Sequence, residues 1–328
     1  MSIGGESAKA PLHVCGSIWG SGNFSGYNLV VDEKPLQLAD RLSGSCTITF
    51  NVSSNWIGNN IFMGASGARI ICNAPYALYR GPTSEKRGDG STCTYVSRYG
   101  MNANGNQVLD LGGYNQELNS FCPVKPSSAS TTNVVRSATP AQLEIYCTLA
   151  YGDENNYGSG RTNNWAVFEG GAGFKVKRFG SASAVTPITL ASVSSTTGRL
   201  DVAVETKSGD DTLILAGGWP KASAVGVTSG KLVLKHNQCI GKKTDVYVRP
   251  TGGALNGVLQ LDNAQPQKCQ WLYVWDAEKN DYKQLEPGLY GGPDCADPSV
   301  PAANRLAGLA GTGVLNSLGH PGLAIFIR

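Results

Sequence analysis

Short runs of alternating apolar and polar residues recur along the whole chain. Cys46-Thr-Ile-Thr-Phe-Asn-Val52 sets Cys46, Ile48, Phe50 and Val52 on one face of a strand. Lys175-Val-Lys separates Val176 from its charged neighbours, and Leu200, Val202 and Val204 alternate with Asp201 and Glu205. Comparable runs lie at 12–18, 27–31, 68–72, 93–99, 141–149, 165–168 and 174–179. Others follow at 212–216, 231–235, 245–249, 257–261, 270–275 and 323–327. Gly, Asn, Ser or Pro bounds each of them. Strands at this spacing, with turn residues between, predict an all-β chain of sandwich or jelly-roll type. Helical patterning is sparse. Residues 35–42 could make two turns. Residues 300–318 are interrupted by Gly308, Gly311 and Gly313, so an ordered loop with one helical turn is expected there. No repeat of fixed period is visible, which argues against a solenoid or a propeller.

The chain has 328 residues, and domains usually run to about 100–200. Residues 180–197 are rich in Ser, Ala and Thr and contain Thr186-Pro187. A boundary near 183 follows: an N-terminal β domain over 1–183 and a C-terminal β-sandwich domain over 184–328.

Composition narrows the setting. Charged residues make up 16% of the chain, against a usual share of about 25%. Gly contributes 42 residues, well above the usual ~7%, without a Gly-X-Y period, so turns rather than collagen account for it. Lys and Arg outnumber Asp and Glu by only 14 to 12 before residue 183 and 13 to 12 after it. Neither part is a basic module, and no nucleic-acid partner is expected. No apolar run approaches the ~20 residues of a membrane span, so no membrane insertion is expected. The start, Met1-Ser-Ile-Gly-Gly-Glu6, lacks the pattern of a signal peptide. It fits a virion protein, or a mature secreted form given a new Met.

The nine cysteines are Cys15, Cys46, Cys72, Cys93, Cys122, Cys147, Cys239, Cys269 and Cys295. None sits at C-x-x-C spacing, so metal knuckles are not expected. Disulfides between strands are expected instead. The odd count leaves one thiol over, expected at Cys239, Cys269 or Cys295 and available to a neighbour.

Candidate chemistry concentrates at 151–165. Tyr151, Asp153, Asn155, Tyr157, Asn163, Asn164 and Trp165 offer rings and amides suited to a sugar. Asp153, Glu154 and Asn156 are hard oxygen donors of the kind calcium prefers, though not at EF-hand spacing. Glu144 and Glu169 could flank a cleft beside Trp165, as the carboxylates of a glycan-cleaving β-sandwich would, and Glu205 also falls near a strand. Trp271, Tyr273 and Trp275 share one face, read here as core; exposed, they would be a carbohydrate platform or a subunit interface. Arg87-Gly88-Asp89 is a Gly-rich turn. His13, His236 and His320 are scattered, and no G-x-S-x-G, P-loop or zinc-protease motif occurs. Asn23 and Asn51 begin glycosylation sequons, the second inside a strand-like run.

The expectation is a non-enzymatic structural or receptor-contacting protein of a virion or extracellular appendage. It would work among other subunits of an assembly, without a cofactor unless calcium binds. A secreted adhesin or lectin using 151–165 is the alternative, and a glycan-cleaving β-sandwich a second one.

Overall fold

A computed structural model describes residues 12–13, 16–18, 22–23, 28–38, 41–44, 47–57, 60–63, 67–79, 84–86, 92–94, 98–101, 105–146, 163–178, 187–205, 212–251 and 256–319. The described residues are almost entirely strand and turn, with a single 3-10 turn at Ala302–Asn304. The all-β expectation holds. The turn falls where the 300–318 pattern placed one, whereas 35–42 forms strands at Leu36–Leu38 and Arg41–Gly44 instead of a helix.

The pairing departs from a sandwich. Among the described residues only three pairings are antiparallel. Every other strand pairs in parallel with a strand one coil further on. Parallel neighbours need a crossover between them, and here the crossover is the remainder of one coil. The described strands therefore stack as the coils of a solenoid, and the absence of a visible repeat was a poor reason to exclude one. Core positions recur at Phe174, Leu200, Val225, Val246 and Leu272, spacings of about 20–26 residues that suit repeat architecture. Longer excursions between Ile70 and Leu109, and between Val135 and Phe168, break the period that a sequence search would need.

Three ladders run along the solenoid. The first joins Leu12–His13, Leu29–Val31, Thr47–Phe50, Arg69–Cys72, Val108–Asp110 and the starts of Val134–Tyr146 and Val167–Arg178. It then passes into irregular backbone, where Ser195 N–H bonds Phe168 O at 3.0 Å and Thr197 N–H bonds Gly170 O at 2.7 Å. The second begins with Gly16–Ile18, Leu36–Leu38, Asn55–Ile57 and Leu78–Tyr79. Gln116–Leu118, the ends of Val134–Tyr146 and Val167–Arg178, Leu200–Ala203, the start of Ala224–Leu234, Asp245–Val248 and Leu272–Asp276 continue it. The third runs through Gly22–Asn23, Arg41–Gly44, Asn60–Met63, Arg98–Met101 and Ser120–Pro123. It resumes at Asn163–Asn164, Ile188–Leu190, Thr212–Leu215, the end of Ala224–Leu234, Gly257–Leu261 and Leu309–Ala310.

Inward side chains of the three ladders meet in one continuous apolar cluster from Leu29 to Leu315. Trp219, Tyr99, Phe50, Phe121, Phe168 and Phe174 are its largest members, with Trp219 tilted on Phe168 at 5.0 Å between centroids. Ladders and cluster both cross residue 183: Asn163–Asn164 pairs Ile188–Leu190, and Phe174 pairs Leu200. A domain boundary there would cut these ladders.

Corners leave backbone groups unpaired, and buried polar groups must find partners. Buried amides satisfy several. Asn55 Oδ1 accepts from Leu36 N–H at 2.8 Å while its Nδ2 donates to Ala77 O at 2.9 Å. Gln116 does the same between Leu78 N–H and Ala74 O. Thr244 Oγ1 donates to Ala222 O at 2.7 Å. At Gly112, φ is +62° and a Cβ would stand 1.7 Å from Cys72 O, so only glycine fits that corner. The far end of the second ladder is closed by the antiparallel strand Asp281–Gln284.

Four of the nine cysteines lend the disulfide expectation no support. Cys72, Cys239, Cys269 and Cys295 are free thiols, all buried. Cys239 donates to His236 O at 3.0 Å, which gives that thiol an internal partner. Burial also withdraws Cys239, Cys269 and Cys295 from any bond to a neighbouring subunit. Cys93 and Cys122 lie in the strands Thr92–Thr94 and Ser120–Pro123, whereas Cys15, Cys46 and Cys147 fall outside the described residues.

Candidate functional site

Along the second ladder each strand turns alternate residues inward and outward. The inward columns are Leu143, Phe174, Leu200, Val225, Val246 and Leu272, then Ile145, Val176, Val202, Val227, Val248 and Val274. The column between them faces out: Glu117, Glu144, Lys175, Asp201, Gly226, Tyr247 and Tyr273 in register. From Glu117 to Tyr273 it climbs six rungs, about 29 Å at a rung spacing of ~4.8 Å.

Exposed rings gather beside its first rungs. Of the five large apolar side chains exposed among the described residues, three are Tyr76, Tyr79 and Tyr114. Tyr79 ends the strand Leu78–Tyr79, which packs beside Gln116–Leu118. Tyr76 and Tyr114 occupy the corner leading into these strands, where Tyr76 N–H bonds Asn115 O at 2.9 Å. Tyr76 holds φ +47°, a conformation that a bulky residue seldom adopts.

The middle of the face is charged and internally bonded. Glu144 lies 3.6 Å from Lys175 Nζ and 3.1 Å from Lys177 Nζ, and Lys177 reaches Glu205 at 3.4 Å. Lys177 also donates to the Tyr146 hydroxyl and sits 4.8 Å over its ring. Burial lowers the Lys177 pKa, but bonds to Tyr146 and Glu144 and the Glu144 charge outweigh it, holding the ammonium above the lysine range. Asp201 accepts from Gln142 Nε2 at 2.5 Å and from Arg199 Nε and Nη2 at 3.2 and 3.0 Å. This fork lies across Gly226, where a Cβ would stand 2.2 Å from Asp201 Oδ1.

The last rungs form an aromatic and arginine stack. Arg199 Cζ is 5.3 Å from the Tyr247 centroid. Tyr247 and Tyr273 stack at 4.5 Å and 6°. Tyr282, on the capping strand, meets Tyr247 at 5.3 Å and Trp275 at 5.2 Å, both edge to face. Arg249 Cζ lies 4.1 Å over Trp275. Burial is the largest influence on the phenols of Tyr247, Tyr273 and Tyr282 and raises their pKa, so each remains a neutral donor. Tyr282 OH and Arg249 Nε have no hydrogen-bond partner among the described residues. Beside the stack lies a depression of ≈ 320 Å³, bounded by Trp275, Asp276, Glu278, Lys283 and Leu306.

The residues singled out from sequence divide differently. Tyr151, Asp153, Glu154, Asn155, Asn156 and Tyr157 lie outside the described residues, as does Arg87-Gly88-Asp89. Asn163 is exposed. Asn164 is fully buried and its Oδ1 accepts from Ala166 N–H at 3.0 Å, a structural role. Trp165 is half-buried under Lys125 Nζ at 5.0 Å. Glu144 and Glu169 do not share a cleft: Glu169 pairs with Arg136 on the first ladder, Glu144 with Lys175 on the second. Asn51 is exposed just past its strand, its Oδ1 accepting from Asn73 at 2.9 Å. Among the described residues no cluster of His, Cys, Asp and Glu suits a metal ion.

Trp271, Tyr273 and Trp275 face outward, because Leu272 takes the core position and Val274 packs against it. Sequence reasoning assigned them to the core. It also passed over Tyr76, Tyr79, Tyr114, Tyr247, Arg249 and Tyr282. The available signal was Val246-Tyr247-Val248-Arg249, where small β-branched residues alternate with an aromatic and a cation. No helix among the described residues is long and apolar enough to cross a membrane. No family model, curated protein or solved structure matches the chain.

Proposed function

We propose that the chain is a non-enzymatic, receptor-contacting surface protein of a virion or extracellular appendage, and that it holds an extended glycan along the outer side of the second ladder. The observation that carries this is the in-line arrangement of the face. Exposed tyrosines stand at one end, a bonded set of carboxylates, ammoniums and an amide in the middle, and an aromatic–arginine stack at the other. Tyrosine faces and hydroxyls suit sugar rings and their hydroxyl groups, and a parallel ladder fixes their spacing without a loop to order on binding. Low charge and abundant Gly agree with a surface setting. Disulfides lend no support, since Cys72, Cys239, Cys269 and Cys295 are free thiols. Glu144 favours binding over cleavage, because two ammoniums hold its carboxylate in place.

A glycan array probed with the natively folded chain tests the reading, followed by calorimetry on any hit. Tyr79→Ala and Tyr273→Ala, at opposite ends of the face, should each weaken a long oligosaccharide at least tenfold. A folded chain that binds no glycan refutes the glycan assignment. Native mass spectrometry of the source material tests the assembly, which predicts partner subunits; a strictly monomeric chain without partners contradicts it.

A further inference from the structure

Arg249 is a cation of this face. Its guanidinium carbon lies 4.1 Å from the Trp275 ring centroid, and its Nε is buried without a hydrogen-bond partner among the described residues. No ion pair involves Arg249 among the described residues, whereas Arg199 is forked onto Asp201. The adjoining segment 252–255 reads Gly-Gly-Ala-Leu and brings no acid of its own. Two carboxylates of the capping hairpin accept backbone N–H groups. Asp276 Oδ1 accepts from Glu278 and Lys279 N–H at 3.1 and 3.3 Å. Asp281 Oδ1 accepts from Tyr282 N–H at 2.7 Å. Glu278 is exposed on the turn, where water and salt screen it.

A guanidinium held against an aromatic ring is suited to an anion, since its planar fork matches a carboxylate or sulfate. We infer that this end of the face recognises an acidic sugar unit, a uronate or a sulfated residue, with Arg249 as the group that contacts the anion. The inference rests on the glycan reading above and adds the chemical class of the ligand.

The test uses acidic oligosaccharides of several backbones, each paired with its carboxyl-reduced or desulfated counterpart. Binding is measured by calorimetry on the full chain at low and high salt. The acidic member of at least one pair should bind tenfold or more tighter, with the preference shrinking as salt rises. Arg249→Gln should level the pair, so that its acidic and neutral members bind alike. Arg249→Lys, which keeps the charge and loses the planar fork, should retain a smaller preference and serves if the Gln variant folds poorly. Equal binding of both members, or a preference that survives Arg249→Gln, overturns the inference and leaves the glycan reading intact. Failure of acidic and neutral sugars alike to bind the folded chain overturns both.

Discussion

Phe174 and Lys175 are adjacent in the chain, yet they belong to columns with opposite histories along the second ladder. The Phe174 column continues through Leu200, Val225, Val246 and Leu272, all fully buried, and scarcely changes in chemistry. The Lys175 column passes from Glu144 to Asp201, to a glycine, then to two stacked tyrosines. Core positions are constrained by close packing, which tolerates little change in volume. Outward positions answer only to their neighbours one rung away. In a solenoid, then, a one-residue offset separates what holds the fold from what can be varied for a ligand, over the entire length of a face.

Breaking the inward column should have the largest effect. Phe174→Ala removes a fully buried ring from the shared core and should cost about 3–5 kcal/mol, read as a fall in the denaturant midpoint. Because the core cluster crosses residue 183, the loss should appear in one cooperative transition; two separate transitions would contradict a continuous core.

The buried thiols sharpen the same side. Cys269 is pushed by burial from the ordinary 9.0 up to about 12, with a bond to Ser317 acting in the opposite sense. A raised pKa means that the folded thiol resists ionisation. Its contribution to stability is intact below pH 9 and fades as pH rises toward 12. Cys72, Cys239, Cys269 and Cys295 should resist a thiol reagent in the native protein and react only on unfolding, a difference that mass spectrometry resolves site by site.

On the outward column, Gly226→Ala should cost about 1–3 kcal/mol, since the new methyl must displace the Asp201–Arg199 fork. It should also disturb Arg199 on Tyr247, visible as a change in near-ultraviolet circular dichroism. The smallest effect is expected at the first ladder's surface pair. Arg136→Gln, which breaks a half-exposed bridge to Asp110 at 2.8 Å, should change stability by no more than about 1 kcal/mol. A larger loss there would show that outward positions are less free than the comparison implies.

Some of this was legible in the sequence. Alternation marked about half of the described strands, because a half-buried strand must place apolar side chains on every second residue whatever its partner. Turn residues marked the corners, and the broken pattern at 300–318 gave its single helical turn. Low charge and abundant Gly pointed to a turn-rich β surface. Tertiary structure decided the rest. Parallel pairing with the next coil leaves no mark in a strand's own residues, so a solenoid with uneven coils reads like a sandwich. Trp271, Tyr273 and Trp275 alternate with Leu272 and Val274, and either set could have been the buried one. Only the neighbouring rungs, with Val246 and Val248 inside and Tyr247 outside, turned the aromatic set toward solvent. The face of the second ladder is composed of residues far apart in the chain, and only stacked coils bring them into one line.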